Sequence, residues 1–164
     1  MKSRLKLLTV LAIGLASFSA SANSSEPHKG KAVKITVQQF NEGTWASLLK
    51  TGPRPAAYMF TTSYCSACPA VFQEVRGATK NSKVLPELIV VLMDVEGNNA
   101  LRHASHFKGM TQLFSFDGYE AAIRSAIDPT WRNITPYVVL VDRQGAIQKG
   151  VGSPSPQSLK RWLQ

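Results

Sequence analysis

The stretch "AAYMFTTSYCSACPAVFQEV", residues 56 to 75, changes its period partway along. Ala56 to Phe60 reads as a short apolar strand. After Cys65 the pattern becomes helical: Cys68, Val71, Phe72 and Val75 fall at i, i+3, i+4 and i+7, which turns one apolar face inward. Pro69 stands in the first turn of that predicted helix, where a missing N–H does least harm. The chain has two cysteines, and both sit at this strand-to-helix junction. A helix N-terminus carries about half a positive charge and free backbone N–H groups. A thiolate placed there is stabilised, so its pKa drops below the free value of about 8.5. Cys65, at the start of the predicted helix, is expected to be the exposed nucleophile. Cys68, one turn further in on the apolar face, is expected to be the buried, resolving thiol. That inequality suits stepwise exchange through a mixed disulfide.

Other uses of two cysteines fit less well. A bridge over two intervening residues closes too small a loop to remove much unfolded-chain entropy. Structural zinc wants four ligands, usually two such pairs or one pair with histidines. His103 and His106 lie three apart on a predicted helix, where a solvated face explains them. His28 lies in a polar leader. Neither a metal nor a cofactor is expected.

The N-terminus sets the compartment. Lys2, Arg4 and Lys6 precede the apolar run Leu7 to Phe18, and Ala20-Ser21-Ala22 has the small-x-small pattern of a cleavage site. The run is shorter than the ~20 residues needed to span a bilayer. Residues 1–22 are therefore expected to be a signal peptide cut after Ala22, and 23–32 a flexible leader. Residues 33–164 then form one domain. No cysteine near the cut suits a lipid anchor, and no later run is long enough for a membrane span. The mature chain is expected to be periplasmic or secreted. Its formal charge of +9 includes the three basic residues of the leader peptide, and the rest are scattered without a basic block. That distribution gives nucleic acid little support as a partner.

Working outward, Val33, Ile35 and Val37 alternate with polar residues as a half-buried strand does. "FNEGTWASLLK" carries Trp45, Leu48 and Leu49 at helical spacing. "LIVVLMDV", Leu88 to Val95, is apolar on both faces, as a covered central strand would be. "NNALRHASHFKG" reads as a helix, "TQLFSF" as a strand and "DGYEAAIRSAI" as a helix with Asp117 and Glu120 spaced as a capping box. "YVVLVD" is a buried strand, "RQG" a turn and "AIQKGVG" its hairpin partner. Ser155-Pro156 opens a last helix with Leu159, Trp162 and Leu163 on one face. This alternation predicts an α/β fold, a mixed sheet flanked by helices.

The quoted stretch, together with "ITPYVVLVDRQGAIQKGVG", resembles the thioredoxin superfamily over nearly all of residues 33–164. The resemblance implies a thioredoxin-like fold with Cys65 and Cys68 as a redox disulfide. It also implies a cis-proline at Pro136 and a glycine beside the site at Gly152. Thr135 should then offer its backbone to a substrate chain, with Tyr64 and Gly152 at the margin, and Pro136 should keep metal from the sulfurs. Asp94 and Pro136 stand much further apart than in a minimal thioredoxin. The extra strand and helix between them resemble the insertion of exported TlpA-like thiol:disulfide oxidoreductases. Such proteins often reduce partner-protein disulfides with electrons from a membrane donor.

Three residues depart from that pattern. Tyr64 replaces a tryptophan, Met59 stands where thioredoxin buries an acid, and Val71 replaces a glutamate of several TlpA-like reductases. The base for Cys68 is left unassigned, with Glu74 and Asp94 as distant candidates. Ser66-Ala67 lacks the histidine of the strongly oxidising DsbA type, which favours a reductase over an oxidase. A disulfide isomerase would usually bring a dimerising domain. A copper-handling, Sco-like chaperone would carry CxxxC and a later histidine, and a peroxidase would carry a proline ahead of its cysteine.

Overall fold

The computed structural model describes residues 35–164. The expected signal peptide and leader lie outside the described residues, as do Val33 and Lys34. The elements in order are β1 (Val37–Phe40), α1 (Thr44–Thr51), β2 (Ala56–Thr61), α2 (Cys68–Ala78), β3 (Glu87–Leu92) and α3 (Gly97–Ala104). Then come β4 (Gln112–Phe116), α4 (Glu120–Ile127), β5 (Tyr137–Val141), β6 (Ile147–Val151) and α5 (Pro156–Trp162).

The six strands form one mixed sheet in the order β1-β4-β3-β2-β5-β6. The pairs β1–β4, β4–β3 and β3–β2 are parallel, while β2–β5 and β5–β6 are antiparallel. Every residue of β2 is buried, and β3 and β5 flank it. One face packs Phe40, Tyr58, Phe60, Ile89, Phe114 and Phe116 against Trp45 of α1 and Ile123 and Ile127 of α4. The other packs Ala57, Met59, Val90 and Leu92 against Cys68, Phe72 and Val75 of α2, Ala100 of α3 and Trp162 of α5. The expected mixed sheet flanked by helices is therefore present, as are β4 and α4 between Asp94 and Pro136.

Four local expectations need correction. The first strand is Val37–Phe40, further along the chain than Val33 to Val37. Phe40, read as the start of a helical stretch, is fully buried and pairs with Phe116 across the β1–β4 ladder. The exposed pair Gln38-Gln39 hid this strand from an alternation argument. The third helix stops at Ala104 instead of running on to Gly109. Beyond it His106 N–H bonds His103 C=O, Phe107 N–H bonds Ala104 C=O, and Met110 N–H bonds Phe107 C=O. These tight turns let Phe107 meet the edge of Phe72 at a centroid distance of 5.5 Å.

The capping box at Asp117 does not form. Asp117 N–H still bonds Phe40 C=O in the sheet, and α4 starts at Glu120 with Tyr119 as its N-cap. The cap comes from elsewhere: the Glu42 carboxylate accepts the Tyr119 N–H at 3.0 Å. Gly118 makes room for it, because a Cβ there would stand 2.9 Å from a Glu42 oxygen. The fourth correction concerns where α2 begins and belongs with the site.

The last helix forms as its sequence predicts. Ser155 Oγ accepts the Ser158 N–H at 3.1 Å as a side-chain N-cap. Trp162 is fully buried, and its Nε1–H donates to the Val141 carbonyl at 3.1 Å. Trp162→Ala is expected to cost about 3–5 kcal/mol through the cavity it leaves. A urea denaturation curve measures this. A loss below about 1 kcal/mol would mean that α5 does not seal that face of the sheet.

Candidate active site

Strand β2 delivers the chain to the site. It ends at Thr61, and Cys65 follows in a turn in which Cys65 N–H bonds Thr62 C=O at 3.2 Å. Cys68 N–H then bonds Cys65 C=O at 3.3 Å, and the first helical bond runs from Val71 N–H to Ala67 C=O. Helix α2 thus begins at Cys68 with Ala67 as its N-cap. Cys65 stands ahead of the helix, and Cys68 is its first residue instead of lying one turn inside. The cause is local: the hydrogen-bonded turn from Cys65 to Cys68 precedes the i→i−4 ladder.

Cys65 and Cys68 are joined by a disulfide, with Cα atoms 5.5 Å apart. Their exposure is unequal, as expected: Cys68 is fully buried and Cys65 is partly buried. Cys68 packs among Met59, Phe72, Val75 and Val71, an apolar surrounding. Neither of the two familiar acid positions, Met59 and Val71, holds a proton acceptor.

The distant candidates for that base are engaged elsewhere. Asp94, just past β3, accepts the Ser63 N–H at 2.8 Å and the Ser63 hydroxyl at 2.6 Å. It therefore clamps the turn between β2 and Cys65. Glu74, exposed on α2, accepts the Ser153 hydroxyl. Thr62 Oγ1 is a buried side-chain oxygen without a hydrogen-bond partner among the described residues.

The second part of the site comes from β5 and β6. The Thr135–Pro136 bond is cis, as the resemblance implied; so is Arg54–Pro55, for which there was no such expectation. In the β2–β5 ladder Phe60 faces Tyr137, which sets Pro136 beside the end of β2 from which the cysteine loop leaves. Gly152, with φ +81°, donates its N–H to the Pro136 carbonyl at 2.8 Å. Pro136 is buried, while Thr135 and Gly152 are partly exposed. Tyr64 is 79% exposed, and Ile134 and Val151 are each 52% exposed. The same end of the sheet thus carries the disulfide, the cis-proline and three exposed apolar side chains. His103 and His106 have ring centroids 6.3 Å apart at the end of α3. Among the described residues no group of three or more His, Cys, Asp or Glu side chains could hold a metal ion.

A buried polar cluster supports the cis-proline loop, and sequence reasoning missed it. Asp128 accepts the Tyr137 hydroxyl at 2.5 Å and both the N–H and hydroxyl of Thr130 at 2.9 and 2.7 Å. Lys149 Nζ of β6 stands 3.0 Å from the same carboxylate. Trp131 stacks on Tyr137 at 4.3 Å and donates its Nε1–H to Ile134 C=O at 3.0 Å. The segment "DPT" signals an Asx-type turn at Asp128, but Tyr137 and Lys149 join it only through tertiary pairing. Burial alone would raise the Asp128 carboxyl; the hydrogen bonds from Tyr137, Thr130 and Lys149 outweigh it and hold the group well below the usual carboxylate range. Burial first, then the hydrogen bond to Asp128 and the charge of that carboxylate, push the Tyr137 phenol upward.

Solved structures share this architecture. The thioredoxin domain of a thiol-disulfide oxidoreductase from Bacteroides vulgatus superposes with TM-score 0.50 at 14% identity, covering 68% of this chain and 80% of that one. A secreted Mycobacterium tuberculosis disulfide oxidoreductase homologous to E. coli DsbE gives TM-score 0.46 at 17% identity, over 67% and 80% of the two chains. DsbF from MTB gives 0.47 at 20% identity, over 71% and 81%. No protein-family model matches the sequence, and no curated protein does. At 14% identity the Bacteroides likeness is one of fold: this chain has the thioredoxin-like fold.

The Asp128 cluster generates a pH-dependent expectation. Asp128→Ala should cost about 2–3 kcal/mol at pH 7, because Tyr137 and Thr130 lose their acceptor. A carboxyl lowered by folding stabilises fully above its ordinary value of about 3.9, and this is lost as pH falls through the folded value. The stability gap between wild type and variant should therefore narrow progressively below about pH 4. Urea curves across that range test it; a gap independent of pH would remove the carboxylate from the explanation.

Proposed function

We propose that this protein is an exported thiol–disulfide oxidoreductase that reduces disulfides of partner proteins through Cys65 and Cys68. The observation that carries this reading is the disulfide at the β2–α2 junction, with one cysteine accessible and the other sealed in the apolar core. The exposed rim of Tyr64, Ile134 and Val151 beside Thr135 gives a protein substrate apolar surface to rest on. The cleavable-signal pattern at residues 1–22 supports export.

In the reduced protein the Cys65 thiolate attacks one sulfur of the partner's disulfide. A mixed disulfide forms, and the partner's other sulfur leaves as a thiolate and takes a proton. Cys68 then loses its proton and attacks the Cys65 sulfur, closing the Cys65–Cys68 bond and releasing the second partner thiol. Two electrons have passed to the partner, and a dithiol donor at the membrane restores the pair. Thr135 presents its backbone to the partner chain beside the disulfide, and Pro136 and Gly152 hold that segment in place.

The surroundings of Cys68 shape the kinetics. Apolar burial disfavours its thiolate, which slows the resolving attack relative to a solvated thiolate in the same place. The proton leaves Cys68 without a carboxylate at the two familiar positions. Asp94 acts on the loop geometry through Ser63 instead.

Trapping tests the reading. Cys68→Ala, expressed in the native compartment, should accumulate partner proteins disulfide-linked to Cys65, whereas Cys65→Ala should trap none. Alkylation of the reduced protein at pH 7 should label Cys65 at least about tenfold faster than Cys68, following its larger thiolate fraction. Equal labelling rates, or no adduct with either variant, would sink the exchange function. Asp94→Ala frees the turn ahead of Cys65 and is expected to slow that alkylation severalfold while leaving the disulfide able to form. An unchanged rate would show that the Ser63 clamp has no part in aiming Cys65.

A further inference from the structure

The pole of the domain opposite the disulfide has a different character. The end of α2, the β5–β6 turn and α5 enclose a groove of about 650 Å³ there. Its apolar lining comes from Ala78, Pro156, Leu159 and Leu163, and its cations are Lys83, Arg143 and Lys160. Among the described residues no acidic side chain lines it, and Asn81, Ser82 and Gln164 complete its wall. All three cations are exposed, and the ion pairs among the described residues, Arg124–Glu120 and Lys149–Asp128, involve none of them. Leu85, two residues beyond Lys83, is 83% exposed.

Unpaired cations around an apolar groove call for an occupant with an anionic head and an apolar body. The N-terminal residues of this chain do not supply it, since Glu26 is the one acidic residue there against Lys2, Arg4, Lys6, Lys29, Lys31 and Lys34. A second copy of the same face would bring like charges together. Leu85 favours a membrane over a soluble peptide: a large apolar side chain standing clear of the fold beside lysine suits the headgroup boundary of a bilayer.

We propose that this pole docks on an anionic bilayer, with the phosphate of one phospholipid among Lys83, Arg143 and Lys160 and the start of its acyl chain on Leu159 and Leu163. Cations near an anionic surface each add severalfold to partitioning, and salt screens the effect. The groove lies at the end of the sheet where β2 begins, so docking leaves the Cys65 end directed away from the lipid. The chain would thereby be held at the surface while its disulfide faces outward, open to a donor domain that projects beyond the headgroups.

Hydrogen exchange of the full chain with vesicles of phosphatidylglycerol and phosphatidylcholine tests this, because it separates the groove from the apolar N-terminal segment. Residues 79–86 and 156–164 should be protected by vesicles rich in phosphatidylglycerol and unprotected by pure phosphatidylcholine. The triple variant Lys83→Glu, Arg143→Glu, Lys160→Glu should lose that protection, with groove occupancy down more than about tenfold. These residues lie outside the exchange machinery, so thiol exchange with a small disulfide should be unchanged. Protection confined to residues 1–34, equal protection by neutral vesicles, or no effect of the triple variant would overturn the proposal. Protection by oligoglutamate with none by vesicles would overturn it too, and would assign the groove to an acidic peptide.

Discussion

The burial of β2 is the constraint on which the rest depends. All six of its residues pair with β3, five of them pair with β5 as well, and both faces are covered, so its register is fixed from four directions. A one-residue slip would exchange Tyr58 and Phe60 for Ala57 and Met59 across the sheet, emptying one core and overfilling the other. The point at which the chain leaves the sheet after Thr61 is therefore not adjustable. The position of Cys65 and the start of α2 at Cys68 follow from it.

Carboxylates in this molecule serve mainly as fasteners. Asp94 ties down the turn before Cys65, Asp128 braces the segment ahead of Pro136, and Glu42 caps α4 from a different loop. The donors that Asp128 satisfies are taken out of water and would otherwise lack a partner, whereas the bonds of Asp94 and Glu42 lie at the surface and fix local geometry. The cysteines are left in surroundings set by packing and by the end of a helix, with Cys68 set among apolar side chains. The inequality between the two sulfurs thus comes from burial: one residue belongs to a core and the other to a turn.

Features that depend on neighbouring residues could be read directly from the chain. The change of period after Cys65, the "DRQG" turn and the Ser155-Pro156 start of α5 all have local causes, and the structure contains each of them, whereas the cis bond before Pro136 is implied by the resemblance alone. Features that depend on distant partners could not. Phe40 belongs to a strand because Phe116 waits beside it, and α3 stops early because Phe107 has a place against Phe72. Asp117 is drawn into the sheet, so the cap of α4 falls to Glu42, far away in sequence. The Asp128 cluster needs the β5–β6 pairing before Tyr137 and Lys149 can converge. Even at the cysteines, the offset of the helix start reflects a turn that periodicity does not resolve.

The attachment of Lys149 to Asp128 also bears on how the molecule keeps to itself. Strand β6 is an outer strand, and its exposed Ile147 and Val151 are the kind of residues along which a foreign strand could anneal. Between them stands a lysine whose ammonium is held by a buried carboxylate and cannot easily swing aside. A fixed charge in the middle of a short border strand discourages edge-to-edge joining. The residues that brace the cis-proline loop thereby also guard the sheet against fibrous self-association.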